Sequence, residues 1–179
     1  RQERIGYKNK PFYILKFATM LKNSPNMGTG CVTVRNDPRL LPLGKFLRIT
    51  KINELPQILN VIKGDMTIVG PRPLMRVSFE MYDETIRKKI YESMPGITGI
   101  GSLIFRDEEA LVSKTEMDKH EFYKKVIMPY KGDLEVWYNQ NKCLQVDFLI
   151  IYLTTLAIIN PNTRLQYKMF KNLPEKVPV

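Results

Sequence analysis

"TKINELPQILNVIKGDMTIVGPRPL", residues Thr50–Leu74, governs how the rest of the chain is read. Within it Ile52, Leu55, Ile58, Leu59 and Ile62 recur at spacings of three and four, the period of one helix face, and that face is expected to be buried. Pro56 lacks an N–H and is tolerated only in a first turn, so the spacing predicts a helix that starts near Asn53. Asn53 is then the N-cap and Glu54 lies in the first turn. Gly64 in "KGDM" ends the helix and Asp65 sits in the turn. "TIVGPRP" reads as a short apolar strand that runs into a loop in which Pro71 and Pro73 restrict Arg72.

Working outward, "FYILKFATM" alternates apolar and other residues after a turn-rich "GYKNKP", the pattern of a strand or hairpin. "CVTV" predicts a short strand, "NDPR" a turn, and the residues up to Arg48 a short helix. On the other side, Ser78–Ser93 reads as one charged helix and "MPGITGIGSLIF" as a Gly-rich loop leading to a strand. Asp107–Asn141 reads as largely helical with a break at Pro129 and Gly132. Leu144–Ile159 is apolar almost all round, with Asp147 its only charge. At roughly 24 Å it is shorter than the roughly 30 Å hydrocarbon core of a bilayer, so it is expected to be buried or to lie in a membrane interface. These elements imply a mixed α/β fold of the α+β kind, mostly helical with a few short strands.

With 179 residues and 44% hydrophobic content, the chain is expected to form a single domain over 1–179 ending in a basic tail at 160–179. Lys and Arg number 28 against 18 Asp and Glu, a formal charge of +10 and a pI near 9.6. Such a balance favours anionic partners: phosphate-bearing substrates, an acidic membrane surface or nucleic acid. For nucleic acid the chain offers charge but no recognised motif. Cys31 and Cys143 have no spacing that suggests a disulfide framework or a zinc site. The chain opens on "RQERIGYKNKPF" without a start-like residue, and is expected to be part of a longer protein.

Chemistry concentrates where the Asn53 helix begins. The first backbone N–H groups of a helix lack partners and its dipole is positive there, which suits an anion. Arg48 and Arg72 are expected to converge on it as phosphate ligands, since the guanidinium fork matches phosphate oxygens. A carboxylate beside them, Glu54, would be kept ionised and able to attack phosphorus or hold a divalent cation. Asp65 is read as a supporting turn residue, His120 as a surface residue, and the acidic "RDEE" at Arg106–Glu109 as a helix start.

Four blocks, "RQERIGYKNKPFYILKFATM", "NDPRLLPLGKFLRITKINELPQILNVIKGDMTIVGPRPL", "MPGITGIGS" and "WYNQNKCLQVDFLIIYLTT", resemble the bacterial sugar transferase family, the monotopic phosphoglycosyl transferases of surface-glycan synthesis. The run from "ELPQ" through "GDM" to "GPRP" is its most specific signature. The resemblance implies transfer of a sugar-1-phosphate from a UDP-sugar to a polyprenyl phosphate such as undecaprenyl phosphate, with release of UMP and a requirement for Mg²⁺. It implies a place on the cytoplasmic face of the bacterial inner membrane, amphipathic helices that dock there, and an upstream re-entrant helix that would end just before "RQERIGY". It also leaves room for a homodimer.

Family members carry an Asp-Glu pair before "LPQ", the Asp forming a covalent phosphosugar intermediate. Here the pair is Asn53-Glu54. Asn cannot act as a nucleophilic carboxylate, so the role falls to Glu54, to another acid or to none; the preferred assignment is Glu54 as nucleophile or Mg²⁺ ligand, with Asn53 capping the helix and hydrogen-bonding a phosphate oxygen. The competing class is a non-enzymatic module, an inactive membrane-surface scaffold or a basic nucleic-acid binder. Two further departures are Ala18 in "KFATM", where the family has Arg, and Ile100-Gly101-Ser102, where it has Trp-Ala-Gln; the latter bears on sugar choice or on packing.

Overall fold

The alternating N-terminal run forms a hairpin: β1 (Gln2–Ile5) pairs antiparallel with β2 (Pro11–Ile14), Glu3 opposite Tyr13 and Ile5 opposite Pro11. The computed structural model describes residues 1–28, 33–34, 36–160 and 163–174. The strand expected at 31–34 lies largely outside them. The turn at "NDPR" is held by a device that its sequence did not advertise. Asp37 and Arg39 form a buried ion pair at 2.6 Å, and the guanidinium also donates to the carbonyls of Ser24 and Met27. The Arg39 hydrogen bond holds the Asp37 carboxyl down at about 2 against the upward push of burial.

α1 (Gly44–Ile49) leads into the decisive stretch, which folds differently from its expected form. Lys51, not Asn53, occupies the cap position, with left-handed backbone at φ 60° and no capping hydrogen bond from its side chain. Residues Ile52–Gln57 form a 3₁₀ turn that contains Pro56, and the α-helix proper, α2, is only Ile58–Ile62. The expected buried face is reversed. Leu55, Ile58, Leu59 and Ile62 are half exposed or more, while Asn53, Gln57 and Asn60 are buried. Those three also share a helical face, at spacings of four and three. The inward pull comes from the side chain of Asn60 and the main chain of Asn53. The Asn60 side chain accepts from the Leu15 amide (3.0 Å) and donates to the carbonyl of Tyr13 (2.8 Å) and to Asp65 (3.2 Å), and the Phe17 amide donates to the Asn53 carbonyl (3.0 Å). The chain beyond β2 is thereby fastened to the polar edge of the helix, and the apolar edge faces out together with Leu43, Phe46 and Ile49.

β3 (Thr67–Val69) forms where expected and pairs in parallel with β4 (Gly96–Thr98). The two backbones approach so closely at Gly70 and Gly96 that a Cβ on either would collide with main-chain atoms. The crossover between them is two helices rather than one, α3 (Arg76–Phe79) and α4 (Glu84–Ile90), because Asp83 accepts from the Ile86 amide at 2.9 Å and starts a new helix. After β4 comes α5 (Ile100–Ile104), not the expected strand, with Ile100 and Leu103 turned into the core.

α6 (Glu108–Lys114) and α7 (Lys119–Phe122) are followed by a wider π turn at Tyr123–Ile127 and then by α8 (Met128–Asn141). The break expected at Pro129 and Gly132 is absent. Pro129 falls in the first turn of α8, just after the π turn has interrupted the regular hydrogen-bond ladder, and Gly132 packs on Tyr82 and Ile86. α9 (Leu144–Ile159) forms as expected and is two-faced. Ile150, Leu153 and Ala157 join Ile100, Leu103 and Leu134 in the main core, while Leu144, Phe148, Tyr152 and Ile159 are exposed. Asp147 does not disturb this packing because it accepts from the Tyr138 hydroxyl at 2.7 Å. A second core joins Ile5, Tyr82, Ile90, Tyr91 and Met128. α10 (Gln166–Met169) is a single turn within the basic tail. The fold is α+β and mainly helical, and among the described residues no helix is long and apolar enough to cross a membrane.

Asn60 carries the reversal. Replacing it with Ala removes three hydrogen bonds and strands buried main-chain groups at Tyr13 and Leu15, so Asn60→Ala is expected to cost about 2–4 kcal/mol in urea unfolding. A loss below about 1 kcal/mol would show that the apolar edge faces outward for another reason.

Candidate active site

β1, the segment after β2, the 3₁₀ turn and the Pro71–Pro73 loop meet at a narrow cleft lined by Arg4, Lys16, Glu54, Gln57 and Arg72. Among the described residues Glu54 is its only carboxylate. Its side chain is 12% exposed, and its Oε1 accepts from the Arg72 guanidinium at 2.9 Å. Burial alone would raise this carboxyl, but Arg72, by charge and by hydrogen bond, and then Lys51 and Lys16 hold it below the ordinary carboxylate range. Glu54 is therefore ionised at neutral pH.

The cations around it crowd one another. Partial withdrawal from water, then repulsion from Arg4 and Arg72, brings Lys16 down to about 8. Lys51 is lowered for the same two reasons, Arg72 being its strongest cationic neighbour. Both lysine residues remain open to solvent; Lys16 lines the cleft, and the charge of Lys51 is felt at Glu54. One carboxylate among this many positive charges leaves the cleft short of anions, and a diphosphate would supply them.

The backbone of Arg72 is fixed from several sides. The Tyr91 hydroxyl donates to its carbonyl (2.8 Å) and accepts from the Leu74 amide (2.9 Å), and the Gly96 amide donates to the carbonyl of Pro71 (3.0 Å). From below, the Arg72 amide faces the carboxyl of Glu135, a 4% exposed residue of α8.

The structure separates the residues picked out in the sequence. Glu54 and Arg72 are brought together. Arg48 instead pairs with Glu109 of α6, and only its charge is felt at Lys16 and Lys51. Asn53 is buried beside Glu54 in the chain, with an Oδ1 that has no hydrogen-bond partner and with no capping role. Asp65 supports Asn60 rather than lining the cleft. The acids of "RDEE" are each spent on a cation: Asp107 on Arg106, Glu108 on Lys131 and Glu109 on Arg48. His120 is exposed on the surface helix α7, as expected. Among the described residues no group of three His, Cys, Asp or Glu side chains gathers in a way that could hold a metal. Ile100 is fully buried, so the departure at 100–102 acts first through packing.

Sequence reasoning missed Arg4, Lys16, Lys51, Gln57 and Glu135. Lys16 left a trace, as the lone cation in "FYILKFATM", and Lys51 another, directly before the predicted helix. Arg4 and Glu135 left none, because both are brought in by tertiary packing.

Similarity to known proteins agrees with this geometry. A family model described as "Bacterial sugar transferase" matches residues 1–161. The chain is 31% identical over 169 residues to the exopolysaccharide production protein ExoY of Sinorhizobium fredii, covering 87% of this chain and 67% of that protein. It is 33% identical over 163 residues to the UDP-N-acetylgalactosamine-undecaprenyl-phosphate N-acetylgalactosaminephosphotransferase of Aeromonas hydrophila, covering 88% of this chain and 34% of the other. It is 35% identical over 155 residues to the UDP-glucose:undecaprenyl-phosphate glucose-1-phosphate transferase of Escherichia coli, covering 85% and 31%. The chain thus spans about two thirds of the shorter relative and about a third of the longer ones.

Glu135 gives the site a pH signature. Burial pushes its carboxyl from 4.5 up to about 8, against the opposing pull of the Arg72 amide, Lys131, the Arg72 charge and the Gly101 amide. The folded protein then keeps a proton that the unfolded chain releases, so this contribution to stability is complete below about 4.5 and is lost as the pH rises through about 8. The melting temperature is expected to fall across that window, and Glu135→Gln to remove that part of the fall. An unchanged slope in the variant would place the titration elsewhere.

Proposed function

As the chain belongs to the bacterial sugar transferase family, we propose that it transfers a sugar-1-phosphate from a UDP-sugar to a polyprenyl phosphate such as undecaprenyl phosphate. The observation that carries this reading is Glu54, an ionised and nearly buried carboxylate held by Arg72 in a cleft whose other charged lining residues, Arg4 and Lys16, are cations. Two relatives bear undecaprenyl phosphate and a UDP-sugar in their names, which supports both substrates.

In this reading Arg72, Lys16 and Lys51 bind the diphosphate, with Arg4 at the cleft wall and Arg48 adding positive potential from outside. A Glu54 carboxylate oxygen attacks the phosphorus proximal to the sugar. The bond from that phosphorus to the bridging oxygen breaks, and UMP leaves with the electron pair. An oxygen of the polyprenyl phosphate then attacks the same phosphorus, the bond to Glu54 breaks, and the carboxylate is regenerated as the lipid-linked diphosphate sugar departs. No proton need move in either step.

Mg²⁺ would be held here by Glu54, a carboxylate oxygen being a suitable hard ligand, and would serve to neutralise phosphate charge. Asn53, with its unpartnered Oδ1, is the feature that favours a second reading, an inactive scaffold that has kept the surface of an enzyme.

A lipid acceptor requires approach to a membrane, and the outward apolar edge supplies the means. Leu43, Phe46, Ile49, Leu55, Ile58, Leu59 and Ile62 lie on adjoining elements, and Ile52–Gln57 among those elements also carries Glu54. Set against a net charge of +10, such a surface suits an anionic leaflet, which we place at the cytoplasmic face of the inner membrane.

The test is UMP release from a panel of UDP-sugars with polyprenyl phosphate and Mg²⁺. The unaltered protein is expected to turn over, Glu54→Gln to lose roughly a thousandfold or more, and chelation of Mg²⁺ to stop release. An inactive parent that gains activity in Asn53→Asp would replace this reading with the scaffold. Independently, Phe46→Asp with Leu59→Asp is expected to weaken co-sedimentation with anionic vesicles by about tenfold or more, since two apolar side chains inserted in the membrane contribute more than the roughly 1.4 kcal/mol that tenfold represents.

A further inference from the structure

Glu135 is the one buried carboxyl of the described core that no ion pair explains. It sits in α8, a helix whose inward residues around it, Leu134, Trp137 and Tyr138, are apolar or aromatic. Its Oε2 is buried without a hydrogen-bond partner. Lys131, one turn earlier on the same helix, is committed to Glu108 and lies over the rings of Phe105 and Tyr123. A half-satisfied carboxyl in such a place lowers stability relative to an apolar side chain of similar size. Its presence calls for something that an apolar side chain could not do.

The other half of the carboxyl supplies that reason. Backbone amides of Arg72 and Gly101 face it, so it links the Pro71–Pro73 loop to the start of α5. Gly101 is shaped to receive it: a Cβ at that position would collide with Glu135 Oε1. The Gly that stands here where the related pattern has Ala is thereby explained as room for this carboxyl. Arg72 lies between two prolines, so its backbone has little freedom of its own, and its amide is the one main-chain donor between Gly70 and Leu74. Holding that amide fixes where the Arg72 side chain starts, and with it the guanidinium that meets Glu54 at 2.9 Å.

We propose that Glu135 is a positioning residue of the cleft, which acts from beneath by seating on Gly101 and holding the backbone amide of Arg72, so that the guanidinium is aimed at Glu54 and at the substrate phosphate. The phosphate half of this statement rests on the proposed transferase reading; the geometric half does not.

Two measurements separate them. The first is amide hydrogen exchange at Arg72, resolved by the prolines on either side, which needs no substrate. Glu135→Leu is expected to speed exchange at that amide by roughly tenfold, the equivalent of one lost hydrogen bond, while the melting temperature at pH 8 stays level or rises because a buried carboxyl is gone. Glu135→Gln, which keeps an acceptor oxygen, is expected to retain most of the protection. Gly101→Ala is expected to speed exchange by displacing the carboxyl, and adding Glu135→Asp, shorter by one methylene, to restore it.

The second measurement is turnover of a UDP-sugar. Glu135→Leu is expected to lower kcat/KM by about tenfold, chiefly through kcat, with Glu135→Gln lying between Leu and the parent. The groups that face the carboxyl are Arg72, Lys131, Tyr82, Tyr91 and Tyr138, none of which changes charge between about pH 6 and 9 in this setting, so a pH dependence of kcat in that range that vanishes in Glu135→Gln belongs to Glu135. Parent-like exchange at the Arg72 amide in Glu135→Leu would overturn the positioning role. Altered exchange in a protein that releases no UMP would uphold the geometry and sink the transferase reading instead.

Discussion

The side chain of Asn60 is the constraint on which the rest of the molecule turns. An amide with both ends engaged, at Leu15, Tyr13 and Asp65, cannot be exchanged for water at the same geometry, so the polar edge of the Ile52–Ile62 segment must face the hairpin. Once it does, everything on the opposite edge is committed to the surface. The same rotation carries Glu54 to the mouth of the cleft and places it within reach of Arg72. An interior hydrogen-bond requirement thus settles two surface properties, where the carboxylate lies and which side chains remain uncovered. Hydrophobic burial, the usual arbiter of helix orientation, is satisfied elsewhere by α5, α8 and α9.

The electrostatics of the cleft arise from an imbalance. Glu54 is the sole anion in its lining, and its pairing with Arg72 leaves Lys16 and Lys51 without full compensation, so that repulsion adds to desolvation in making both easier to deprotonate than a free lysine. A bound polyanion would oppose those shifts. Asn53 fits the same pattern from the other side. Where the related pattern has a second carboxylate, an amide adds no charge, so the cleft is more positive than that pattern would make it, and its attraction for phosphate is correspondingly greater.

Much of the fold was legible because it depends on local signals. The alternation of residues 11–14, the apolar triplet "TIV" and the uninterrupted apolar run of Leu144–Ile159 each produced the expected element. The departures share a cause. Period analysis shows that two faces exist, not which one is inside. The decisive segment has an apolar face and a polar face of equal regularity, and long-range hydrogen bonds chose between them. Pro129 misleads for a similar reason, since the turn that accommodates it is a feature of the assembled helix. In the site, Glu54 and Arg72 stand out through their motif, whereas Arg4 and Glu135 reach it across separations in sequence that carry no pattern. Arg48 stands out equally and is held by Glu109, a partner 61 residues away.

The π turn at Tyr123–Ile127 fits one more residue into its arc than an α-helix would. Each residue of an α-helix advances the face by about 100°, so the extra one sets the angle at which all of α8 presents itself. Lys131 toward Glu108 and Glu135 toward Arg72 both inherit that angle. The segment is therefore a phase adjuster: exchanging its side chains leaves the downstream register intact, whereas shortening it by one residue would swing both contacts out of reach together. A change of length in the helix break of Thr115–Asp118, upstream of α7, carries no such penalty, because a loop can absorb an added or missing residue without rotating the helix that comes after it.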